Sequence, residues 1–263
     1  MFRISIITVV YNNKIGLEAT IQSVINQTFK NIEYIIIDGG STDGSKELLQ
    51  SYSSKITYWV SEKDNGIYHA MNKGAAKSTG NYLLFLNAAD VLTDKKVIEK
   101  VADEIIKTNE RYSFYTGNMQ LIKNGFIAES PMPAELSFNY FFKSSLCHPS
   151  TFIANKLFKT IGGYNEENKI VSDWEFFLTA FTQYNATYYK LNILTTLFDT
   201  NGISANPLDK KMNEERQKVL ETKFSFFYQD YKRFNEIENE YKKYYYSRLH
   251  QLLVRLISVF RKK

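Results

Sequence analysis

The chain has 263 residues, 44% of them apolar and 23% charged, with a formal net charge of +5. That length allows one large domain, or a domain of about 200 residues with an appendage, and the composition excludes disorder over most of it. A single cysteine, Cys147, excludes an internal disulfide, and three scattered histidines offer no zinc-ligand spacing, so a reducing, cytoplasmic setting is expected. The charge is unevenly placed. Residues 241–263 hold seven basic side chains and no acid, which leaves the rest of the chain slightly acidic, and no nucleic-acid partner is expected. No run of about 18 successive apolar residues occurs, so no membrane-spanning helix is expected.

Through the first hundred residues strand and helix patterns alternate: strands at 4–10, 33–38, 56–61 and 82–87, helices at 14–27, 44–52, 67–78 and 94–107. This is βαβ wiring, and right-handed crossovers of that kind give a parallel sheet with helices on both faces. Thr93 is the expected N-cap of helix 94–107. The pattern then loosens into short strands at 113–116, 118–122, 126–128 and 151–154, which point to an antiparallel or mixed extension of the sheet. Helices at 155–161 and 172–183 and strands at 187–190 and 193–198 follow, and residues 123–150 show no readable pattern. From about residue 207 the chain reads as helical to its end.

Ligands of open α/β sheets bind beyond the carboxyl ends of the strands, so those ends are where chemistry is sought. The first strand delivers Thr8, Tyr11, Asn12 and Asn13 to that edge. The second ends in Asp38 and the turn Gly39-Gly40-Ser41-Thr42-Asp43-Gly44-Ser45, whose glycines allow close backbone approach. A planar base can lie against Tyr11 while Asp38 accepts the imide hydrogen of uracil or thymine. The alternatives are packing for Tyr11 and, for the turn, an ordinary strand-to-helix loop capped by Asp43 or Ser45. The third edge, Ser61-Glu62-Lys63-Asp64-Asn65-Gly66, presents Asp64 either to a ligand or as the N-cap of the next helix. At the fourth, Leu86-Asn87-Ala88-Ala89-Asp90 releases one carboxylate. A diphosphate brings its own oxygens to Mg²⁺ or Mn²⁺, so one such carboxylate can complete a metal site; otherwise Asp90 is a turn residue. No G-x-G-x-x-G follows the first strand and no P-loop occurs, which argues against a dinucleotide oxidoreductase or a nucleoside triphosphatase.

Together the four edges, T-x-x-Y-N, I-I-D-G-G-S-T-D-G-S, S-E-x-D-x-G-I-Y-x-A-M-N-K-G and F-L-N-A-A-D, resemble family 2 glycosyltransferases of the GT-A fold over residues 3 to about 95, and more weakly to about 200. Bacterial enzymes of O-antigen and other surface-polysaccharide synthesis are the nearest likeness. The resemblance implies an α/β, Rossmann-like, mostly parallel central sheet flanked by helices, with residues 1–206 as the catalytic domain and 207–263 as a helical extension. It implies that Thr8, Tyr11, Asn12, Asp38 and Asp64 line a nucleotide pocket and that Asp90 is the metal-binding end of a D-x-D segment, where this chain has lost the other acid. Further on, Gly162-Gly163-Tyr164-Asn165-Glu166 and Ser172-Asp173 look like the acceptor-side turn and the segment bearing the base, with Asp173 as base and Ser172 in place of the usual Glu. The chemistry requires such a group, since attack on the anomeric carbon releases the proton of the acceptor hydroxyl.

Glu175 is the competing base, and Asp173 without the resemblance is equally a helix first-turn acid. His148 faces the acceptor or is structural; Trp174 stacks on a sugar or fills the core. The implied activity is inverting transfer from a nucleotide diphosphate sugar, with UDP expected, to a hydroxyl of a saccharide acceptor, lipid-linked in the expected case. A sugar nucleotidyltransferase would need a glycine-rich basic loop after the first strand, where Tyr11–Leu17 supplies only Lys14 and Gly16. A degenerate assembly factor is the non-enzymatic alternative. At the C-terminus, Leu249, Leu252, Leu253, Leu256, Ile257 and Phe260 recur at helical spacing beside Arg248, Arg255 and Arg261. That is a basic amphipathic helix suited to the cytoplasmic face of an anionic inner membrane, to packing on the domain, or to a dimer seam.

Overall fold

The computed structural model describes residues 2–123, 126–199, 210–247 and 250. The first elements are β1 (Ile4–Val10), α1 (Lys14–Ile25), β2 (Ile32–Asp38), α2 (Ser45–Ser51), β3 (Tyr58–Ser61), α3 (Ile67–Lys77) and β4 (Tyr82–Phe85). They form the expected alternation. Next come β5 (Val91–Leu92), α4 (Val97–Lys107), β6 (Phe114–Lys123), β7 (Phe126–Ser130), α5 (Phe138–Lys143), β8 (Thr151–Ala154), α6 (Asn155–Ile161), α7 (Ser172–Gln183), β9 (Tyr188–Asp199), α8 (Lys210–Lys223) and α9 (Ser225–Tyr245). The chain divides into two compact units, Met1–Glu215 and Arg216–Lys263. In the second unit α9 leaves Phe226, Phe234, Ile237, Tyr241 and Tyr244 exposed. The amphipathic segment from Arg248 onward lies outside the described residues, His250 apart.

Among the described residues the sheet has nine strands in the order β3-β2-β1-β4-β8-β6-β9-β5, with β7 paired to β6. Strands β3, β2, β1 and β4 are parallel; β8 then runs antiparallel to both β4 and β6. Every residue of β1 and β4 is buried, as apolar runs without polar alternation require when helices cover both faces. The chain runs from β1 outward through β2 and β3 on one side and then crosses back to β4 on the other, so the strand order reverses beside β1. That reversal opens the crevice in which such sheets bind ligands.

Elements the sequence presented as separate are continuous in space. The strands expected at 113–116 and 118–122 merge into the single strand β6, which begins at Phe114, and those at 187–190 and 193–198 into β9, which begins at Tyr188; the two pair in parallel with register shifts around Asn118. A bulge of this kind adds a residue and breaks the alternation without ending the strand. The helix expected from residue 94 begins at Val97. Thr93, expected to cap it, donates its hydroxyl to the Leu194 carbonyl at 2.8 Å, because Val91–Leu92 pair with β9. The N-cap position falls to Lys96, whose N–H donates to the Asp94 carboxylate at 2.6 Å.

The high aromatic content has a packing role. Phe85 on β4 meets Phe158 of α6 at 5.3 Å and Tyr164 at 5.1 Å, while Phe158 meets Phe176 of α7 at 5.0 Å between ring centroids. These rings seat α6 and α7 on the sheet and so fix where α7 begins. On the β1–β2 side α3 approaches so closely that a Cβ on Gly74 would lie 2.5 Å from Ile7 Cγ2. Gly74→Ala is therefore expected to destabilise the protein by about 1–3 kcal/mol, the usual penalty for overpacking. A urea midpoint equal to that of the wild type would contradict this.

Candidate active site

A cleft of about 760 Å³ runs across the carboxyl ends of the parallel strands. Its lining takes Val9, Val10 and Tyr11 from the end of β1, Gly39 and Gly40 after β2, Lys63 and Asp64 after β3, and Asn87–Asp90 after β4. Opposite stand His148, Lys169, Ile170 and Asp173, with Phe198 from β9. The cleft thus brings together Tyr11, Asp64, Asp90, His148 and Asp173.

Thr8 and Asp38 lie beneath the floor. The parallel register sets Asp38 between Val10 and Ser61. Its carboxylate, 0% exposed, accepts the Ser61 hydroxyl at 2.5 Å and both the N–H and the hydroxyl of Ser41. With its oxygens turned to these donors, Asp38 braces the turn and presents no surface to a ligand. Thr8 is paired with the Tyr34 hydroxyl at 3.2 Å. Asn12 also ties loops together: its N–H donates to Ser41 Oγ at 2.7 Å and its side-chain oxygen accepts from Thr42 N–H at 2.8 Å. Asp43 joins the same brace, accepting the Lys14 N–H at 2.8 Å and the Ser45 hydroxyl at 2.6 Å. The Ser45 bond, first of all, holds the Asp43 carboxyl below its usual range.

What the brace presents to the cleft is backbone and one ring. A Cβ on Gly39 would fall 2.6 Å from Asp64 Oδ2 and 3.4 Å from the Tyr11 ring, so only glycine lets these three surfaces meet. Tyr11 is 68% exposed, an open aromatic face beside them. Asp64 accepts the Gly66 N–H at 2.9 Å, which orients it at the start of α3, where Gly66 rather than Asp64 holds the N-cap position.

The Asn87–Asp90 turn is held from α1. Ala89 has φ 86°, a conformation an alanine rarely adopts, and its N–H donates to the Thr20 hydroxyl at 3.0 Å while that hydroxyl donates to the Asp90 carbonyl at 2.8 Å. Gly16 makes room for this, since a Cβ there would lie 2.9 Å from Ala89 Cβ. Strain at this point aims Asp90 at the cleft. His148 is oriented by the Phe85 carbonyl, 3.1 Å from Nδ1; a carbonyl only accepts, so Nδ1 carries a proton. Among the described residues no cluster of three His, Cys, Asp or Glu side chains could hold a metal. A divalent ion would fit here only as the partner of a diphosphate, with Asp90 as its carboxylate.

Asp173, in the first turn of α7, is 3.1 Å from the Tyr68 hydroxyl, which donates to the Ile170 carbonyl at 2.6 Å. Burial, and then the charge of Asp173, drives the Tyr68 hydroxyl well above its usual range, so it remains a hydrogen-bond donor. Burial likewise pushes the Cys147 thiol up to about 12, helped by the charges of Asp173 and Asp90, which keeps it an unreactive thiol. Trp174 and Glu175, expected on the acceptor side, do not border the cleft. Trp174 is 1% exposed with its indole N–H on the Phe141 carbonyl at 2.7 Å, and Glu175 is 3% exposed and receives the Asn165 and Asn168 amides at 3.1 and 2.5 Å. Both secure the far face of α7.

Sequence reading passed over Lys63, Tyr68, Lys169 and Phe198. Tyr68 had one usable signal, a hydroxyl on the buried face of a helix that must find a partner. The lysines and Phe198 had none.

The sequence pattern of Glycosyl transferase family 2 matches residues 5–156, and the chain belongs to that family. It is a glycosyltransferase that takes its sugar from a nucleotide-sugar donor. A Mycobacterium tuberculosis protein named as an uncharacterised glycosyltransferase is 30% identical over 204 residues, 77% of each chain. A PGL/p-HBAD biosynthesis glycosyltransferase of Mycobacterium bovis is 28% identical over 211 residues, 79% of this chain and 81% of the relative. The structure of S. aureus TarS residues 1–349 with UDP-GlcNAc superposes with a TM-score of 0.63 at 19% identity, covering 81% of this chain and 61% of that one. The chain thus spans about three fifths of that structure, and the likeness establishes a shared GT-A fold.

The bracing role of Asp38 separates it from the exposed Tyr11. Asp38→Ala orphans buried hydroxyls and should lower stability by about 2–4 kcal/mol, whereas Tyr11→Ala should change it by no more than about 0.5 kcal/mol. Thermal melts of the two variants decide, and equal melting points would show that Asp38 braces nothing.

Proposed function

We propose that this enzyme transfers a sugar from a UDP-sugar, with inversion, to a hydroxyl of a saccharide acceptor, and that Asp173 is the general base. One observation carries the reading: Asp90 and Asp173 border the same cleft from opposite halves of the fold, with the Gly39–Gly40 backbone, Tyr11 and Asp64 between the strand ends. The uridine stacks on Tyr11 over the Gly39 backbone, with Asp64 beside it, while Asp38 acts from below by holding the turn. The diphosphate extends toward Asp90. Asp90 is the residue that would hold a Mg²⁺ or Mn²⁺ ion at this edge, and such an ion would supply charge neutralisation at the leaving group. Lys63 adds positive charge on the strand-end side of the cleft. The acceptor hydroxyl enters from the α7 side, gives its proton to Asp173, and attacks the anomeric carbon on the face opposite the departing UDP, which inverts that centre.

The choice of uridine draws support from the S. aureus relative solved with UDP-GlcNAc, and a role in surface-glycan synthesis from the M. bovis relative's biosynthetic name. A lipid-linked acceptor at the cytoplasmic face of the membrane agrees with the basic, apolar composition of residues 241–263. Among the described residues no helix is long and apolar enough to cross a membrane.

Asp173→Asn should cut turnover at least about 100-fold and leave UDP affinity within about twofold, because the lost group handles a proton and holds no nucleotide. UDP release from UDP-glucose, UDP-galactose and UDP-GlcNAc, alongside calorimetric titration of UDP, reads both quantities. Near-normal turnover by the variant sinks the assignment. In the same assay Tyr11→Ala should weaken UDP binding by about 2- to 12-fold, equivalent to about 0.5–1.5 kcal/mol of stacking. Unchanged affinity would move the uracil ring away from Tyr11.

A further inference from the structure

The segment that leads into α7 has a problem its own residues cannot solve. Lys169, Ile170 and Val171 present three successive backbone N–H groups, and Val171, at the N-cap position, has no side-chain oxygen to offer. A carboxylate arrives from elsewhere. Glu215 on α8 accepts the Lys169 N–H on Oε1 at 3.0 Å, and the Ile170 and Val171 N–H groups on Oε2 at 2.9 and 3.3 Å. Bonds from N–H to an ionised carboxylate are about twice as strong as neutral ones, and the negative charge also suits the N-terminal end of α7. On its other side the Ile170 carbonyl receives the Tyr68 hydroxyl at 2.6 Å, and that same hydroxyl is 3.1 Å from Asp173 Oδ1. Ile170 is therefore pinned through both its peptide groups, by Glu215 on one and Tyr68 on the other.

We propose that Glu215 is a positioning residue for sugar transfer. It clamps residues 169–171, and through Ile170 and Tyr68 it sets where the Asp173 carboxylate stands in the cleft. The inference rests on the reading of Asp173 as base. It gives α8 a role in the chemistry although Glu215 touches neither donor nor acceptor. A misplacement of about 1 Å in a reacting group can lower a rate by about 100-fold, so a clamp of this kind is read in kcat while nucleotide binding, built on the other half of the cleft, is spared.

The test uses the full chain with Glu215→Gln, Glu215→Asp and Tyr68→Phe. Glutamine turns an amide N–H₂ toward N–H donors, whereas aspartate keeps the charge on a shorter arm. In the UDP-release assay Glu215→Gln should lose about 10- to 100-fold in kcat with UDP affinity and donor KM within about twofold. Aspartate should restore part of the loss. Hydrogen exchange at the amides of residues 169–171 should quicken in Glu215→Gln. Combining it with Tyr68→Phe should slow turnover by less than the product of the two single effects, because both act through Ile170.

Wild-type kcat in Glu215→Gln, or a fall in UDP affinity parallel to the fall in kcat, overturns the clamp. Should that variant fail to melt cooperatively, Glu215→Asp carries the same comparison of kcat with UDP affinity. Full turnover by Asp173→Asn overturns the base reading instead. The two failures are told apart because amide exchange is read without catalysis.

Discussion

The parallel register of the first four strands is the constraint on which the site depends. Because Val10, Asp38 and Ser61 lie side by side across β1, β2 and β3, a buried carboxylate meets the hydroxyl of the next strand and the turn of its own. A slip of one residue would turn every side chain of a strand to the opposite face and place an unpaired charge in the core. The brace and the register therefore enforce each other. Everything the cleft presents on this side, the Gly39 backbone, the Tyr11 ring and the oriented Asp64, stands on that brace.

The second half of the cleft is built differently. There the sheet turns antiparallel at β8, and an aromatic layer of Phe85, Phe158, Tyr164 and Phe176 seats α7 so that its first turn points back at the strand ends. Rings fix distance and tilt without directional polar bonds. Fine placement falls to hydrogen bonds at the helix start, and these come from residues distant in sequence: Tyr68, 105 positions from Asp173, and Glu215, 44 to 46 positions from the peptides it holds. One half is thus organised by strand register and the other by packing plus a few long-range bonds.

This division explains what could be read without coordinates. Buried parallel strands announce themselves as apolar runs, and each ended within a few residues of its expected place, along with Tyr11, Asp64 and Asp90 at the edges. The two-residue β5 had too little sequence to carry a period, and the bulge in the β6–β9 pairing disguised single strands as pairs. For Asp38 the position was legible and the surroundings were not. A carboxylate at a strand end looks the same whether it meets a ligand or two serines, and only the register decides that Ser61 is its neighbour. Asp173 borders the cleft while Trp174 and Glu175 do not, because successive residues of a helix point about 100° apart, a difference that depends on how the helix is seated and not on its sequence. Glu215 sits in a polar helix where nothing local distinguishes one glutamate from the next.

The hydroxyl of Tyr68 has one hydrogen and two acceptors within reach, the Ile170 carbonyl at 2.6 Å and Asp173 Oδ1 at 3.1 Å. The shorter bond takes most of it. This arrangement fits the base role proposed for Asp173, because a buried carboxylate with both oxygens turned to strong donors, as those of Asp38 are, is closed to an incoming hydroxyl. Asp173 instead gains orientation from a contact that leaves its accepting capacity open. The two aspartates show how the same side chain is specialised by what surrounds it: the one ringed by Ser41 and Ser61 holds the fold, and the one beside a shared hydrogen borders the cleft with the accepting capacity its proposed role as base needs.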